Sequence, residues 1–80
     1  MQVRVLQKLS VRIYPNPVSD ILYVEGVDVQ KIEIFDGTGR QVYISDNLFT
    51  VDMSSYPTGI YYLRVVTDQG KVSTKKIMKR

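Results

Sequence analysis

The sequence contains no cysteine, no histidine and no alanine. Without cysteine the chain forms neither a disulfide nor a cysteine-ligated zinc site, and both oxidising and reducing compartments stay open to it. Without histidine it lacks the commonest general base, the commonest transition-metal ligand and the imidazole of a catalytic triad. The missing alanine, with valine and isoleucine dominating the apolar runs and six tyrosines, disfavours long helices and favours strands.

Long hydrophobic runs are also missing. None approaches the roughly 18 residues that span a bilayer, and residues 1–10 lack the apolar stretch of a signal peptide. If the protein is exported, the signal that directs its export therefore lies outside residues 1–10. A fragment that begins at Met1 would fit a piece cut from a longer parent protein. At 80 residues, 44% of them hydrophobic, the chain suits one small packed domain without a deep pocket.

Charge is distributed unevenly along the chain. Five of the eleven basic residues lie in the last ten positions, where no acidic residue occurs. Residues 1–70 carry six basic and eight acidic residues, so the net charge of +3 comes from the C-terminal segment. A general nucleic-acid-binding face is therefore not expected.

The aspartates give no sign of a catalytic or metal site. Asp36, Asp46, Asp52 and Asp68 all lie at predicted turns, where aspartate commonly bonds to the backbone. Nothing marks two of them as the neighbouring pair that glycoside hydrolysis requires, and the spaced ligands of a calcium loop are missing. We expect no catalytic residue, no cofactor and no metal.

Apolar and polar residues alternate with period two from Val11 onward, between clusters of turn-forming residues. Seven strands are predicted, at residues 11–14, 21–25, 31–35, 41–45, 48–53, 60–67 and 71–79. The short turns leave no room for the crossovers of a parallel sheet. Residues 11–80 are therefore predicted to form an all-β, antiparallel sandwich of Ig-like or Greek-key type. Residues 1–10 are predicted to be a linker remnant, with an extra edge strand as the alternative.

The alternation also predicts which side chains share a face. The expected groups are Leu22 with Val24, Ile32 with Ile34, Val42 with Ile44, and Tyr61 with Leu63 and Val65. Tight hairpins are predicted at Asp36-Gly37-Thr38-Gly39 and at Asp68-Gln69-Gly70, and a further turn at Asp46-Asn47.

Three segments, read in order, carry a resemblance to a known family. They are Tyr14-Pro15-Asn16-Pro17 followed by Ile21-Leu22-Tyr23-Val24, then residues 32–36 with Gly39-Arg40-Gln41-Val42, then residues 56–65 (YPTGIYYLRV) before a lysine-rich end. Over about residues 11–80 this order resembles the type A C-terminal sorting domain of the bacterial type IX secretion system. The resemblance implies a small folded export signal and not an enzyme.

The same resemblance implies a modular tail on a larger secreted cargo, which can itself be an enzyme. The cargo would cross the inner membrane by its own signal peptide and pass the outer-membrane translocon through recognition of this domain. A sortase-like protease would then cut near or before Met1. The expected partners are the translocon, the sortase-like components and the upstream cargo domain, without nucleic acid. The expected location is the periplasm in transit, then the cell surface or the medium.

Recognition in this family is expected at the extreme C-terminus. Lysines on both faces make the terminal segment a poor core strand and a good exposed edge, which Val72, Ile77 and Met78 can still anchor. Two interpretations stay open. In one, the lysines block unwanted strand pairing between molecules. In the other, an exposed basic edge with unpaired backbone groups docks on a receptor by strand addition or by charge matching. Weak self-association through edge strands is a separate expectation. The predicted signal residues are Lys75, Lys76, Ile77, Lys79 and Arg80, with Gly39 and Arg40 as a further contact.

Other motif residues are expected to determine the fold. Pro15, Asn16 and Pro17 predict a stiff corner leading between sheets, because each proline fixes φ and removes a backbone donor. Gly59 is expected to release the chain from a turn, and Tyr61 to bury its ring while its hydroxyl finds a partner.

The sequence leaves two rival functions open. One is a carbohydrate-binding sandwich of a secreted hydrolase, in which the six tyrosines would form a sugar platform, although several alternate with valine and isoleucine as core residues do. The other is a passive structural or adhesion Ig-like repeat.

Overall fold

The described residues form seven strands in two antiparallel sheets. The computed structural model describes residues 11–26, 28–45 and 49–80. Its strands are β1 (Val11–Tyr14), β2 (Ile21–Gly26), β3 (Val29–Asp36), β4 (Gln41–Ser45), β5 (Thr50–Asp52), β6 (Gly59–Thr67) and β7 (Val72–Lys79). No helix occurs among these residues, so none is long and apolar enough to cross a membrane. The predicted all-β fold is confirmed; residues 1–10 and the Asp46-Asn47 turn lie outside the described residues.

The two sheets have different sizes. The smaller has the strand order β1-β2-β5 and the larger β4-β3-β6-β7, with antiparallel pairing throughout. The chain changes sheet between β2 and β3, between β4 and β5 and between β5 and β6. This is the connectivity of an Ig-like Greek-key sandwich, in which β1 and β7 are edge strands of different sheets.

The core lies between the two sheets and follows the predicted alternation. Leu22, Ile32, Ile34, Leu63 and Val65 are completely buried. Side chains at every second position of β2, β3 and β6 therefore point inward, as a period of two dictates. Other core members are Val11, Val18, Val24, Val29, Val51, Met53, Tyr61 and Ile77.

Strand β4 departs from the prediction. Ile34 pairs with Tyr43 but Phe35 pairs with Gln41, so β4 carries one extra residue at this point. Such a β-bulge bends the strand and changes which side chains face inward. Val42 and Tyr43 both pack against the core, whereas Ile44 is 55% exposed. The expectation that Val42 and Ile44 share an inward face is therefore wrong.

A tyrosine hydrogen bond fixes the connection between β5 and β6. Tyr61 is buried, and its hydroxyl donates to the carbonyl of Pro57 at 2.7 Å. Its ring lies 5.6 Å from that of Tyr56, centroid to centroid. A tyrosine near the start of a strand that bonds back to the preceding loop is the tyrosine corner of Greek-key sandwiches. Gly59, between the loop and the strand, has a φ of 156°, which L side chains rarely adopt.

Candidate recognition surface

One end of the larger sheet gathers three of the sequence motifs. Asp36, at the end of β3, pairs with Tyr61, and Gly59, at the start of β6, pairs with Lys79. The Gly39-Arg40 turn, the start of the Gly-x-Tyr strand and the end of the lysine-rich strand therefore lie at the same end of the sandwich.

The Pro-Asn-Pro motif reaches this end from the smaller sheet. Residues 15–20, which we call the corner, connect β1 to β2. Within the corner, Val18 forms an isolated parallel bridge with Lys79 of β7. Because β1 and β2 belong to the same sheet, the expectation that this corner leads between sheets is wrong. The corner instead links the sheets through hydrogen bonds to β7.

Those hydrogen bonds come from one side chain and one backbone unit. Asn16 Nδ2 donates to the carbonyl of Lys76 at 3.0 Å, and Asn16 Oδ1 accepts from the N–H of Met78 at 2.9 Å. The N–H of Val18 donates to the carbonyl of Met78 at 2.9 Å, and its carbonyl accepts from the N–H of Arg80 at 2.8 Å. The side-chain amide of Asn16 thus forms the two hydrogen bonds that the backbone of a neighbouring strand would form. The backbone of Val18 forms the next two along the same edge. Both peptide bonds preceding the corner prolines are cis.

These bonds divide the outer edge of β7 into two parts. In an antiparallel pair, alternate residues direct both backbone groups to the same side. Since Met78 and Arg80 face the corner, Val72, Thr74 and Lys76 also direct their backbone groups away from β6. We call the stretch from the Lys76 carbonyl to the Arg80 N–H the capped edge. Val72, Thr74 and the N–H of Lys76 form the open edge.

No hydrogen bond from the described residues reaches the open edge. The expectation of unpaired backbone groups along the terminal strand is therefore wrong for the capped edge. It holds, within the described residues, for the open edge alone.

The predicted signal residues of β7 divide by burial. Ile77 is 1% exposed and Lys79 is 6% exposed, with the Lys79 ammonium donating to the carbonyl of Arg80 at 3.2 Å. Lys75, Lys76 and Arg80 are exposed. Strand alternation sends Ile77 and Lys79 inward, while residues at even positions lie on the outer face of the larger sheet.

That alternation corrects another expectation. Of the three predicted anchors of the terminal strand, only Ile77 is buried. Val72 is 53% exposed and Met78 is 47% exposed. Both stand on the outer face of the larger sheet, which the smaller sheet does not cover.

A cleft of about 400 Å³ separates β1 from β7. Its lining includes Ile13 and Ile77 as apolar groups and Arg12, Lys75 and Lys76 as cations. Arg12 Nη1 contacts Glu25 Oε1 at 3.1 Å, but neither lysine forms an ion pair with any described residue. The cleft beside the open edge is therefore electropositive.

The Gly39-Arg40 turn is organised by one carboxylate. Asp36 Oδ1 accepts from the Thr38 hydroxyl at 2.6 Å, from the Thr38 N–H at 2.9 Å and from the Arg40 N–H at 3.0 Å. The bond from the Thr38 hydroxyl, and next that from the Arg40 N–H, lower the pKa of Asp36. Gly39 has a φ of 88°, which favours glycine, and the Arg40 side chain is 78% exposed.

A family comparison identifies what this combination of motifs is. The model of the secretion system C-terminal sorting domain matches residues 12–80. The chain belongs to the type IX secretion C-terminal sorting domain family. The chain has no significant match among curated proteins or solved structures. As a sorting signal it directs export to the cell surface or the extracellular space and interacts with the secretion machinery.

The sorting domain belongs to a family that is not catalytic. Within residues 11–26, 28–45 and 49–80, no three acidic side chains approach closely enough to hold a metal ion.

The tyrosines of the sorting domain do not form one platform. Tyr14 stacks on Tyr23, with centroids 5.6 Å apart and planes 25° apart, on the outer face of the smaller sheet. The Tyr14 hydroxyl donates to Glu25, a hydrogen bond that raises the pKa of Tyr14. Tyr62 stands on the outer face of the other sheet, and the remaining tyrosines contact the core: Tyr43, Tyr56 and Tyr61. This dispersal removes the geometric basis for a six-tyrosine sugar site.

Proposed function

We propose that the sorting domain carries a larger cargo protein from the periplasm through the outer-membrane type IX translocon. A sortase-like protease then removes the domain by cutting near or before Met1. The observation that carries this proposal is the hydrogen-bonded clamp by which the corner holds the end of β7. It joins the first and last motifs of the family into one surface.

The clamp gives the signal a fixed shape before it meets a receptor. Four hydrogen bonds from Asn16 and Val18 hold the strand between Lys76 and Arg80. A preformed surface avoids the ordering cost that a disordered peptide incurs on binding. A folded domain is therefore a more efficient signal than a loose lysine-rich tail.

The burial pattern separates two roles among the signal residues. Ile77 and Lys79 hold the strand in place, since both are buried. Lys75, Lys76 and Arg80 are exposed and available to the machinery. Gly39 and Arg40 stand at the same end of the sandwich and extend this surface. Exposed cations of this kind guide encounters with an anionic partner and select against cationic ones.

A reporter fusion in a bacterium with a type IX system tests the proposal. The reporter carries an inner-membrane signal peptide at its start and the sorting domain at its end. We expect the intact fusion to reach the medium or the cell surface. Deletion of residues 75–80 should leave the reporter active in the periplasm, and so should the intact fusion in an isogenic strain without the translocon.

Reporter activity in the periplasmic extract shows that each trapped fusion was made and that its reporter folded. Two results contradict the proposal. One is efficient secretion of the fusion lacking residues 75–80, and the other is secretion of the intact fusion without the translocon. The first result would favour a passive Ig-like module, and the second would show that the fusion is exported by another route.

A further inference from the structure

We propose that the open edge of β7, with the cleft beside β1, binds an extended acidic segment of the secretion machinery by strand addition. This inference rests on the proposed function, which supplies the partner. It specifies where on the domain the partner binds and which chemistry it has.

The open edge offers the backbone groups that an added strand needs. Val72 and Thr74 each direct an N–H and a carbonyl outward, and Lys76 adds an N–H. Unpaired groups on an edge strand pair readily with an extended segment of another chain. The corner occupies the edge beyond this point. The added strand is therefore limited to about five residues, or roughly 17 Å.

The cleft provides space next to that edge. Its volume of about 400 Å³ lies between β1 and β7, which are edge strands of different sheets. Ile13 supplies apolar surface within it, whereas Ile77 beside it is 1% exposed, and Asn16 lines the end of the cleft nearest the corner. Every second side chain of an added strand would enter this cleft.

The lysines define the charge of the segment. Lys75 and Lys76 leave opposite faces of β7, and neither is neutralised by a described carboxylate. An added strand places its own side chains on both faces, directly opposite these lysines, where opposite charges stabilise the pairing. A second copy of this chain fits poorly, because pairing two β7 edges gathers Lys75 and Lys76 of both copies while β7 itself contains no acidic residue to offset them. An acidic segment of the machinery meets both requirements.

Substitutions on β7 test the inference in the reporter fusion. Thr74→Pro removes an outward N–H without taking a hydrogen bond from the ladder with β6, and proline is tolerated at such edge positions. Lys75→Glu and Lys76→Glu reverse one charge each, and Lys71→Glu is the matched reversal outside the cleft. We expect the first three to reduce secretion about tenfold, which corresponds to about 1.4 kcal/mol of binding, and Lys71→Glu to change it less than about twofold.

The purified domain gives a direct measurement. A ten-residue peptide that alternates glutamate with valine should shift the amide resonances of Val72, Thr74 and Lys76. The same peptide with lysine in place of glutamate should not. Sedimentation of the purified domain shows whether a second copy uses the edge instead.

The outcomes separate the two proposals. Normal secretion of a folded Thr74→Pro variant, with residues 75–80 still required, overturns the strand-addition site and leaves the sorting function standing. If Thr74→Pro does not fold, equal secretion of Lys75→Glu, Lys76→Glu and Lys71→Glu overturns it. The strand-addition site is also overturned if the glutamate peptide does not shift the amide resonances of the open edge. It is likewise overturned if the purified domain forms a dimer that Thr74→Pro dissociates. Secretion without residues 75–80 overturns the sorting function itself.

Discussion

The two parts of the outer edge of β7 belong to one strand and one hydrogen-bonded ladder, yet they differ in whether other residues cover their backbone groups. The capped edge is covered by Asn16 and Val18, whereas no described residue covers the open edge. A bare strand edge invites pairing with other chains, so proteins cover it, charge it or use it. Here the capped part fixes the geometry of the C-terminal strand, and the lysine-flanked part remains available for contact.

The variant with the largest expected effect on stability removes the buried side chain that anchors the capped edge to the core. Ile77→Ala should lower the free energy of unfolding by about 3 kcal/mol, because it deletes a buried aliphatic side chain from the core. Urea titration of the purified domain measures the loss. Hydrogen exchange at Arg80 should accelerate in step, since the capped edge depends on the strand lying flat against the corner.

Met78→Ala is the matched control from the neighbouring position of the same strand. Its side chain is 47% exposed, so we expect a loss of less than about 0.5 kcal/mol. Equal losses in the two variants would show that β7 is not anchored through its inner face, and the division into buried and presented residues would be wrong.

A smaller test removes the cap itself. Asn16→Ala deletes both side-chain hydrogen bonds to β7 and should lower the free energy of unfolding by about 1–2 kcal/mol. The amide of Met78 should lose its protection from hydrogen exchange and approach the rate of Thr74. The capped edge at Met78 and the open edge at Thr74 would then exchange their amide hydrogens at similar rates.

Ser19→Ala provides the control for Asn16→Ala within the same exposed corner. It should change the free energy of unfolding by less than about 0.5 kcal/mol and leave Met78 protected. If Asn16→Ala also leaves the exchange of Met78 unchanged, the side-chain cap does not operate in solution.

Much of the fold could be predicted from the sequence because period-two alternation is a local signal. Leu22 with Val24, and Leu63 with Val65, occupy the predicted inward positions. The turn chemistry of Asp36 and Gly39 also acts within a few residues. Such features need no knowledge of distant partners.

The errors lie where distant residues decide the outcome. Asn16 and Lys76 are 60 positions apart, and nothing local indicates that an asparagine side chain will replace a strand there. The bulge in β4 likewise depends on the pairing with β3 and reverses the expected exposure of Ile44. A lysine at position 79 predicts an exposed side chain, yet Lys79 is buried beside the corner. This is possible because the aliphatic part of a lysine side chain can pack against apolar surface.

The smallest expected effect concerns the pH dependence of the corner end. Because the folded pKa of Asp36 is lowered, its contribution to stability is present above the unfolded pKa and is lost as pH falls through the folded pKa. The capped edge uses only uncharged groups, so protection of Met78 should not follow this titration until the domain unfolds. Urea midpoints of the wild type and Asp36→Asn, compared between neutral pH and about pH 3, isolate the carboxylate. The wild type should lose more stability on acidification than Asp36→Asn, while Asp52, whose pKa is also lowered, contributes equally to both. Identical acid dependence in the two proteins would mean that the turn does not depend on the charge of Asp36.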